Sequence, residues 1–246
     1  MEKKKKIVLV DYFNTEPFLA GLRTAVDQYE IIGKIPAECT TCFNSKKADI
    51  GLVPVASFFE MELAHMITNY GIGCDGTVRT VVLFSNTHKT EIRKIYLDDH
   101  SRTSVQLCRI VAKRFWNIDV EFVRTDVSRI SLGQNEAMLM IGDKVFVNEG
   151  RYDYAYDLGE EWKEETGLPF VFAIWVSHEK VSEVEEQGLN AIFEKGLQQI
   201  PKIVKDLKKL KDMDLQSYFE KNIVYRIGEE GREAIALFKS LLISSN

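Results

Sequence analysis

The sequence predicts a two-lobed α/β fold. Three observations carry this expectation: short apolar runs alternate with helical or loop sequence, several of those runs are apolar at every position, and the chain beyond Ser177 turns to helix formers.

The strand-like runs fall at residues 6–10, 50–53, 78–84, 94–97, 120–123, 138–141 and 170–176. A continuously apolar strand suits a sheet covered by helices on both faces, so largely parallel sheets are expected. Past Ser177 no further strand is expected. Ser182-x-x-Glu185 resembles a capping box, and Val184, Leu189, Ile192, Phe193 and Leu197 then recur at helical spacing. Pro201 begins the next helix, because proline is tolerated in a first turn but not in an interior. Gly228 separates the last two helical stretches, and an amphipathic helix covers 233–242.

The chain shows no internal repeat, low-complexity segment or flexible linker, so two lobes must be joined through strands. Crossings near 84–87 and 173–177, where apolar runs meet polar residues, put residues 1–84 and 178–246 in one lobe and 85–177 in the other. A discontinuous lobe with a double crossing is a hinged clamshell, and ligand-driven closure is its usual motion.

At 246 residues and 45% hydrophobic content the chain can fill a real core. A formal net charge of −5 argues against a nucleic-acid binder, which needs a concentrated basic face. The basic run at 3–6 is followed by only four apolar residues before Asp11, too few for a secretory segment or a membrane span. The cytoplasm is therefore expected. Cys39-Thr-Thr-Cys42 has the C-x-x-C spacing, but His65, His88, His100 and His178 stand isolated and supply no second ligand pair. Two half-buried thiols on a helix are expected, with no metal. Trp116, Trp162 and Trp175 lie among apolar neighbours and are expected in the core.

Chemistry-bearing residues gather where strands end. The first strand stops at Asp11 and leads into Tyr12-Phe13-Asn14-Thr15-Glu16-Pro17, with Pro17 opening a helix. Open α/β sheets bind ligands at such ends. Asn14 can donate and accept without adding charge, which suits orienting a hydroxyl or carboxylate; the alternative is a turn-stabilising or capping role. Leu97-Asp98-Asp99-His100-Ser101-Arg102-Thr103-Ser104 has the same strand-to-helix character. Its first-turn amides, three hydroxyls and Arg102 suit a carboxylate or phosphate, and the alternative is a serine cap with Arg102 in solvent. Asp143 ends another strand in Ile141-Gly142-Asp143, where it either binds a ligand hydroxyl, bridges the lobes or caps a helix. Gly71, Gly73 and Gly76 are too irregular for a dinucleotide fingerprint, so no cofactor is expected.

Taken together, these segments resemble the chorismate dehydratase family of menaquinone biosynthesis by the futalosine route. The matching stretches are Tyr12-Phe13-Asn14-Thr15-Glu16-Pro17, Ala48-Asp49-Ile50-Gly51-Leu52-Val53-Pro54-Val55, residues 76–85, Tyr96-Leu97-Asp98 with 101–107, Ile141-Gly142-Asp143-Lys144, and Tyr156-Asp157-Leu158-Gly159 through Thr166-Gly167-Leu168-Pro169-Phe170. Their order and spacing span residues 6–176, and the helical tail matches in character alone. Two positions depart from the family pattern: Phe13 stands where leucine is expected and Thr80 where serine is expected.

The resemblance implies a periplasmic-binding-protein type II clamshell used as a cytoplasmic hydro-lyase that converts chorismate to 3-[(1-carboxyvinyl)oxy]benzoate. Its expected partner is that small dicarboxylate, with neither nucleic acid nor membrane, and with a homodimer left open. In the implied site Asn14 orients the leaving hydroxyl or the reacting carboxylate, and the substrate's own enolpyruvyl carboxylate takes the proton. Ser101, Arg102, Thr103 and Ser104 bind one carboxylate, Thr80 and Ser85 help bind the other from the hinge side, and Asp143 is expected among the substrate-binding residues. The rivals are the related dihydroxynaphthoate synthase of the same route and a non-catalytic cytoplasmic binding module.

Overall fold

A computed structural model describes residues 4–99, 101–207 and 214–244. The elements run β1 (Lys5–Val10), α1 (Glu16–Leu22), β2 (Tyr29–Lys34), α2 (Pro36–Asn44), β3 (Ile50–Pro54), α3 (Val55–Phe58), β4 (His65–Cys74), β5 (Val81–Ser85), β6 (Lys94–Asp98), α4 (Thr103–Ile110), β7 (Glu121–Thr125), β8 (Glu136–Ile141), β9 (Tyr154–Asp157), α5 (Leu158–Thr166), β10 (Phe170–Ser177), α6 (Glu183–Leu197), α7 (Ile200–Leu207), α8 (Leu215–Ser217), β11 (Val224–Arg226) and α9 (Glu229–Ile243). They form two compact units, Met1–Gly73 with Val171–Gly228 and Cys74–Phe170 with Glu229–Asn246.

These boundaries differ from the expected ones for reasons visible in the pairing. β5 is hydrogen-bonded to β8 on one side and β9 on the other, which puts it inside the second unit. Residues Ala173 to Ser177 of β10 pair with β3 and so belong to the first. The final helix returns to the second unit, where Phe238 meets the rings of Trp162 and Phe170 edge-on at 6.1 and 5.1 Å.

In the first unit the sheet order is β11-β4-β10-β3-β1-β2. β1 runs parallel to both β2 and β3, whereas β10 is antiparallel to β3 and β11 to β4. The sheets are thus mixed, not largely parallel, and β11 is a strand in the tail where none was expected. Ile7 to Val10 are buried because helices cover the sheet, and α1 is buried from Pro17 to Leu22. Phe18, fully buried, meets Tyr70, Trp175, Phe193 and Tyr225 edge-on at 4.9 to 6.4 Å. Burying such a ring contributes roughly 1.5–3 kcal/mol. The helix is held in place by a backbone crossing on α6: a Cβ on Gly196 would overlap the Pro17 carbonyl, and it would lie 2.9 Å from the Gly21 nitrogen. The crossing fixes where α1 begins, and with it the loop from β1.

The second sheet has the order β7-β6-β8-β5-β9. β6 is parallel to β7 and β8, and β5 is antiparallel to β8 and β9. Val82, Phe84, Val127, Met138, Met140 and Val145 form one core cluster of this unit.

The tail helices follow their sequence signals. Ser182 caps α6 by accepting from the Glu185 amide at 3.2 Å, and Pro201 sits in the first turn of α7. Cys39 and Cys42 lie on α2 as free thiols, and burial pushes Cys39 up to about 12, far from a reactive thiolate. Trp162 and Trp175 are fully buried, whereas Trp116 is half-buried and donates to Glu161 at 2.6 Å. Among the described residues no helix is long and apolar enough to cross a membrane.

Candidate functional site

Asn14 lies in a 3-10 turn, Phe13–Thr15, directly after β1. The capping alternative is not realised. Thr15 occupies the cap position of α1, where no side-chain cap bond forms. The buried Thr15 hydroxyl lies 2.6 Å from the Val10 carbonyl and 2.7 Å from the Tyr12 carbonyl, tying the turn to the strand that feeds it. Asn14 itself is half-buried. Its amide sits at the carboxyl end of β1, a strand flanked on both sides by parallel neighbours, which is where open sheets present ligand contacts.

The remaining candidates all belong to the second unit. Strand register decides which of them share one edge of its sheet. β6 and β8 run parallel, with Tyr96 level with Met138, so Asp98 and Ile141 end on the same edge. β5 runs the other way, with Val81 level with Ile141, so Thr80 begins at that edge. Thr80, Asp143 and the segment Ser101, Arg102, Thr103, Ser104 are thereby gathered.

Ser85 is not. It is level with Ala137, at the opposite end of β5 and roughly 16 Å along the strand from Thr80. Its fully buried hydroxyl donates to the Glu136 carbonyl at 2.9 Å and accepts from the Thr87 amide at 3.0 Å. Position and bonding make Ser85 a structural residue and remove it from the candidate set.

At the start of α4 the Ser101 hydroxyl accepts from the Ser104 amide at 3.1 Å, one residue ahead of the cap position, which Arg102 occupies without a side-chain cap bond. A hydroxyl that accepts one bond can still donate another. Thr103 and Ser104 are buried and Arg102 is exposed. The Ser101 carbonyl accepts from the Arg124 guanidinium at 3.0 Å, which ties the loop to β7. Backbone amides at this turn carry the positive end of the helix and favour an anion. His100 lies outside the described residues.

Asp143 sits in the first turn of the 3-10 segment Gly142–Asn148, whose cap position is Ile141, so it is not the cap. Gly142 donates to the Thr80 carbonyl at 2.9 Å.

Two residues of this edge stand in the matching stretches but were given no role from sequence. Lys144 forms an ion pair with Asp98, whose side chain is only 2% exposed. The pairing puts a cation at the end of β6. Asp157 ends β9 and accepts from the amides of Val78, Arg79, Gly159 and Glu160 at 2.6 to 3.2 Å. Burial pushes its carboxyl up to about 6 in spite of those four donors. An aspartate directly before Leu158-Gly159-Glu160 is a helix-start signal that could have revealed it.

The two mixed sheets, each with polar side chains at its strand ends, define a class. The fold is that of periplasmic binding proteins. A solved protein from Archaeoglobus fulgidus aligns with TM-score 0.74 at 11% identity, covering 98% of this chain and 97% of that one. The periplasmic aliphatic sulphonate binding protein SsuA from Escherichia coli aligns with TM-score 0.67 at 11% identity, covering 99% of this chain and 92% of that one. Within that class the chain belongs to the menaquinone biosynthesis family, whose sequence profile matches residues 6–243. A curated relative, the chorismate dehydratase of Thermus thermophilus, is 24% identical over 185 residues. The match covers 67% of this chain and spans 66% of the length of that relative.

Proposed function

We propose that the chain is a cytoplasmic chorismate dehydratase, converting chorismate to 3-[(1-carboxyvinyl)oxy]benzoate and water. The observation that carries the reading is the edge of the second sheet, where Thr80, Thr103, Ser104 and Asp143 gather around a helix start and a lysine. The family profile and the Thermus thermophilus relative support the choice of substrate.

Chorismate carries two carboxylates and a ring hydroxyl, and loss of water makes its ring aromatic. The reaction needs little beyond orientation: both carboxylates held, the proton removed from the ether-bearing carbon, and the departing hydroxide stabilised. The first turn of α4 offers amides and hydroxyls to one carboxylate. Thr80 serves the other, and Asp143 lies on the same edge as a further substrate contact. Asn14 donates to the leaving hydroxyl or to the reacting carboxylate, and the enolpyruvyl carboxylate of the substrate takes the proton and passes it to the departing hydroxide, which leaves as water. Ser85 has no part in this.

The test is incubation of purified protein with chorismate while its ultraviolet spectrum is followed. A spectrum that moves to that of the aromatic product supports the reading. Saturable binding with an unchanged spectrum makes the chain a binding module instead.

A further inference from the structure

We propose that Asp157 is a positioning residue whose carboxylate sets the Thr80 turn and, through it, Asp143. The inference rests on the reading that Thr80 and Asp143 contact the substrate. Its first half, that Asp157 shapes this turn, stands on geometry alone.

A helix cap needs one acceptor for one or two first-turn amides. Asp157 does that for α5, with Oδ1 accepting from Gly159 at 2.9 Å and Glu160 at 3.2 Å. It then does more than a cap requires. Oδ2 accepts from Arg79 at 2.6 Å, and both oxygens accept from Val78 at 3.1 Å. These two amides belong to a chain segment 78 and 79 residues earlier, immediately before Thr80.

That segment has reason to need holding. Arg79 adopts φ +65°, a left-handed conformation that costs a non-glycine residue roughly 1 kcal/mol or more. The Arg79 guanidinium is anchored away from the turn, 3.0 Å from Glu149 and 5.3 Å over the Phe146 ring. The helix start presses directly on the same segment: a Cβ on Gly159 would lie 2.5 Å from the Cys74 sulfur and 2.6 Å from the Gly76 carbonyl. From Asp157 the connection continues through the Val78 and Arg79 amides to Thr80, whose carbonyl accepts from Gly142, and so to Asp143. One buried carboxylate thus links a helix start to two residues of the candidate edge.

The decisive variant is Asp157→Ser. A serine hydroxyl still caps α5 but is too short to reach Val78 and Arg79 as well. Asp157→Asn serves as the second variant, since it keeps the shape but sets an amide donor among amide donors. Circular dichroism and thermal midpoint establish that each variant folds. Hydrogen exchange, measured without substrate, is expected to speed up at Val78, Arg79 and Gly142 in Asp157→Ser. With chorismate, KM is expected to rise about tenfold, as for loss of one hydrogen bond to a charged group, while kcat changes less than about threefold. Asp157→Ser/Thr80→Ala is expected to be no worse than Thr80→Ala alone, because the two residues act as a unit. Unchanged exchange at Gly142, a wild-type KM in Asp157→Ser, or strictly additive effects would overturn the proposal. If the wild-type protein leaves chorismate intact, the functional reading fails, and the exchange data still decide the role of Asp157.

Discussion

The backbone amide of Gly142 donates to the carbonyl oxygen of Thr80 over 2.9 Å, joining the loop after β8 to the start of β5. The bond is possible because the two strands run antiparallel with Val81 level with Ile141. It ties Thr80 to the residue before Asp143 on the edge that strand register sets, and most of the functional consequences follow from that edge or from the Asn14 turn.

Asn14→Ala is expected to lower kcat on chorismate by about a hundredfold or more, the scale seen when a donor to developing charge is removed. Its dissociation constant, measured by calorimetry on the purified variant, should change only a few-fold. Full activity in folded Asn14→Ala protein rules out a catalytic asparagine.

Thr103→Ala should have the opposite profile. Under the proposed function its buried hydroxyl holds a substrate carboxylate, so its loss weakens binding about tenfold or more and leaves kcat nearly unchanged. Steady-state kinetics that show the loss in kcat instead would move Thr103 from binding to catalysis.

Ser85→Ala tests the strand register. Ser85 bonds the Glu136 carbonyl and the Thr87 amide at the far end of β5, so the change should cost about 1 kcal/mol of stability and leave KM untouched. A raised KM with unaltered denaturant midpoint contradicts the assignment of Ser85 to structure.

Gly196→Ala reverses the usual sign. In a helix interior alanine is normally better than glycine by about 1 kcal/mol. On α6 its methyl would overlap the Pro17 carbonyl, so the variant should instead lose about 1–3 kcal/mol, read from chemical denaturation. A stabilised variant would show that α1 and α6 do not meet backbone to backbone.

Acid behaviour follows from Asp157, whose carboxyl is raised to about 6 by burial and faces the Cys74 thiol and the four amides. The folded state then binds the proton more tightly than the unfolded chain does. Stability contributed by the protonated form is complete below the ordinary carboxylate range, near 4, and is lost as pH rises through about 6. Denaturation of wild type and Asp157→Asn between about pH 4 and about pH 7 isolates this effect, because only the wild type titrates there at this position. The wild type should lose ground to the variant as pH rises, and a gain would contradict the assignment.

Much of the fold was legible because most of its central strands are dominated by apolar residues. β3 and β5 are buried at every residue, and sequence alone marks such runs. The strands that escaped are those whose side chains do not advertise them. β2, Tyr29–Lys34, is an edge strand with exposed positions, β9 and β11 are short edge strands, and β4 contains a histidine, an asparagine and two glycines. Gly71 in β4 reflects packing, since a Cβ there would lie 2.6 Å from the Ala173 carbonyl. Among site residues, the hydroxyl-rich start of α4 and the Asn14 turn could be seen from local order. The exclusion of Ser85 could not, because it depends on strand register, and Asp157 shows in sequence only as a helix start, since its bonds to Val78 and Arg79 span 79 and 78 residues.

The most direct test of the account is the mass of what chorismate becomes. With purified protein the account predicts a product lighter by one water, formed at a rate proportional to protein concentration and suppressed in Asn14→Ala. Chorismate recovered unchanged after saturable binding, or a product formed equally fast by wild type and Asn14→Ala, would contradict it.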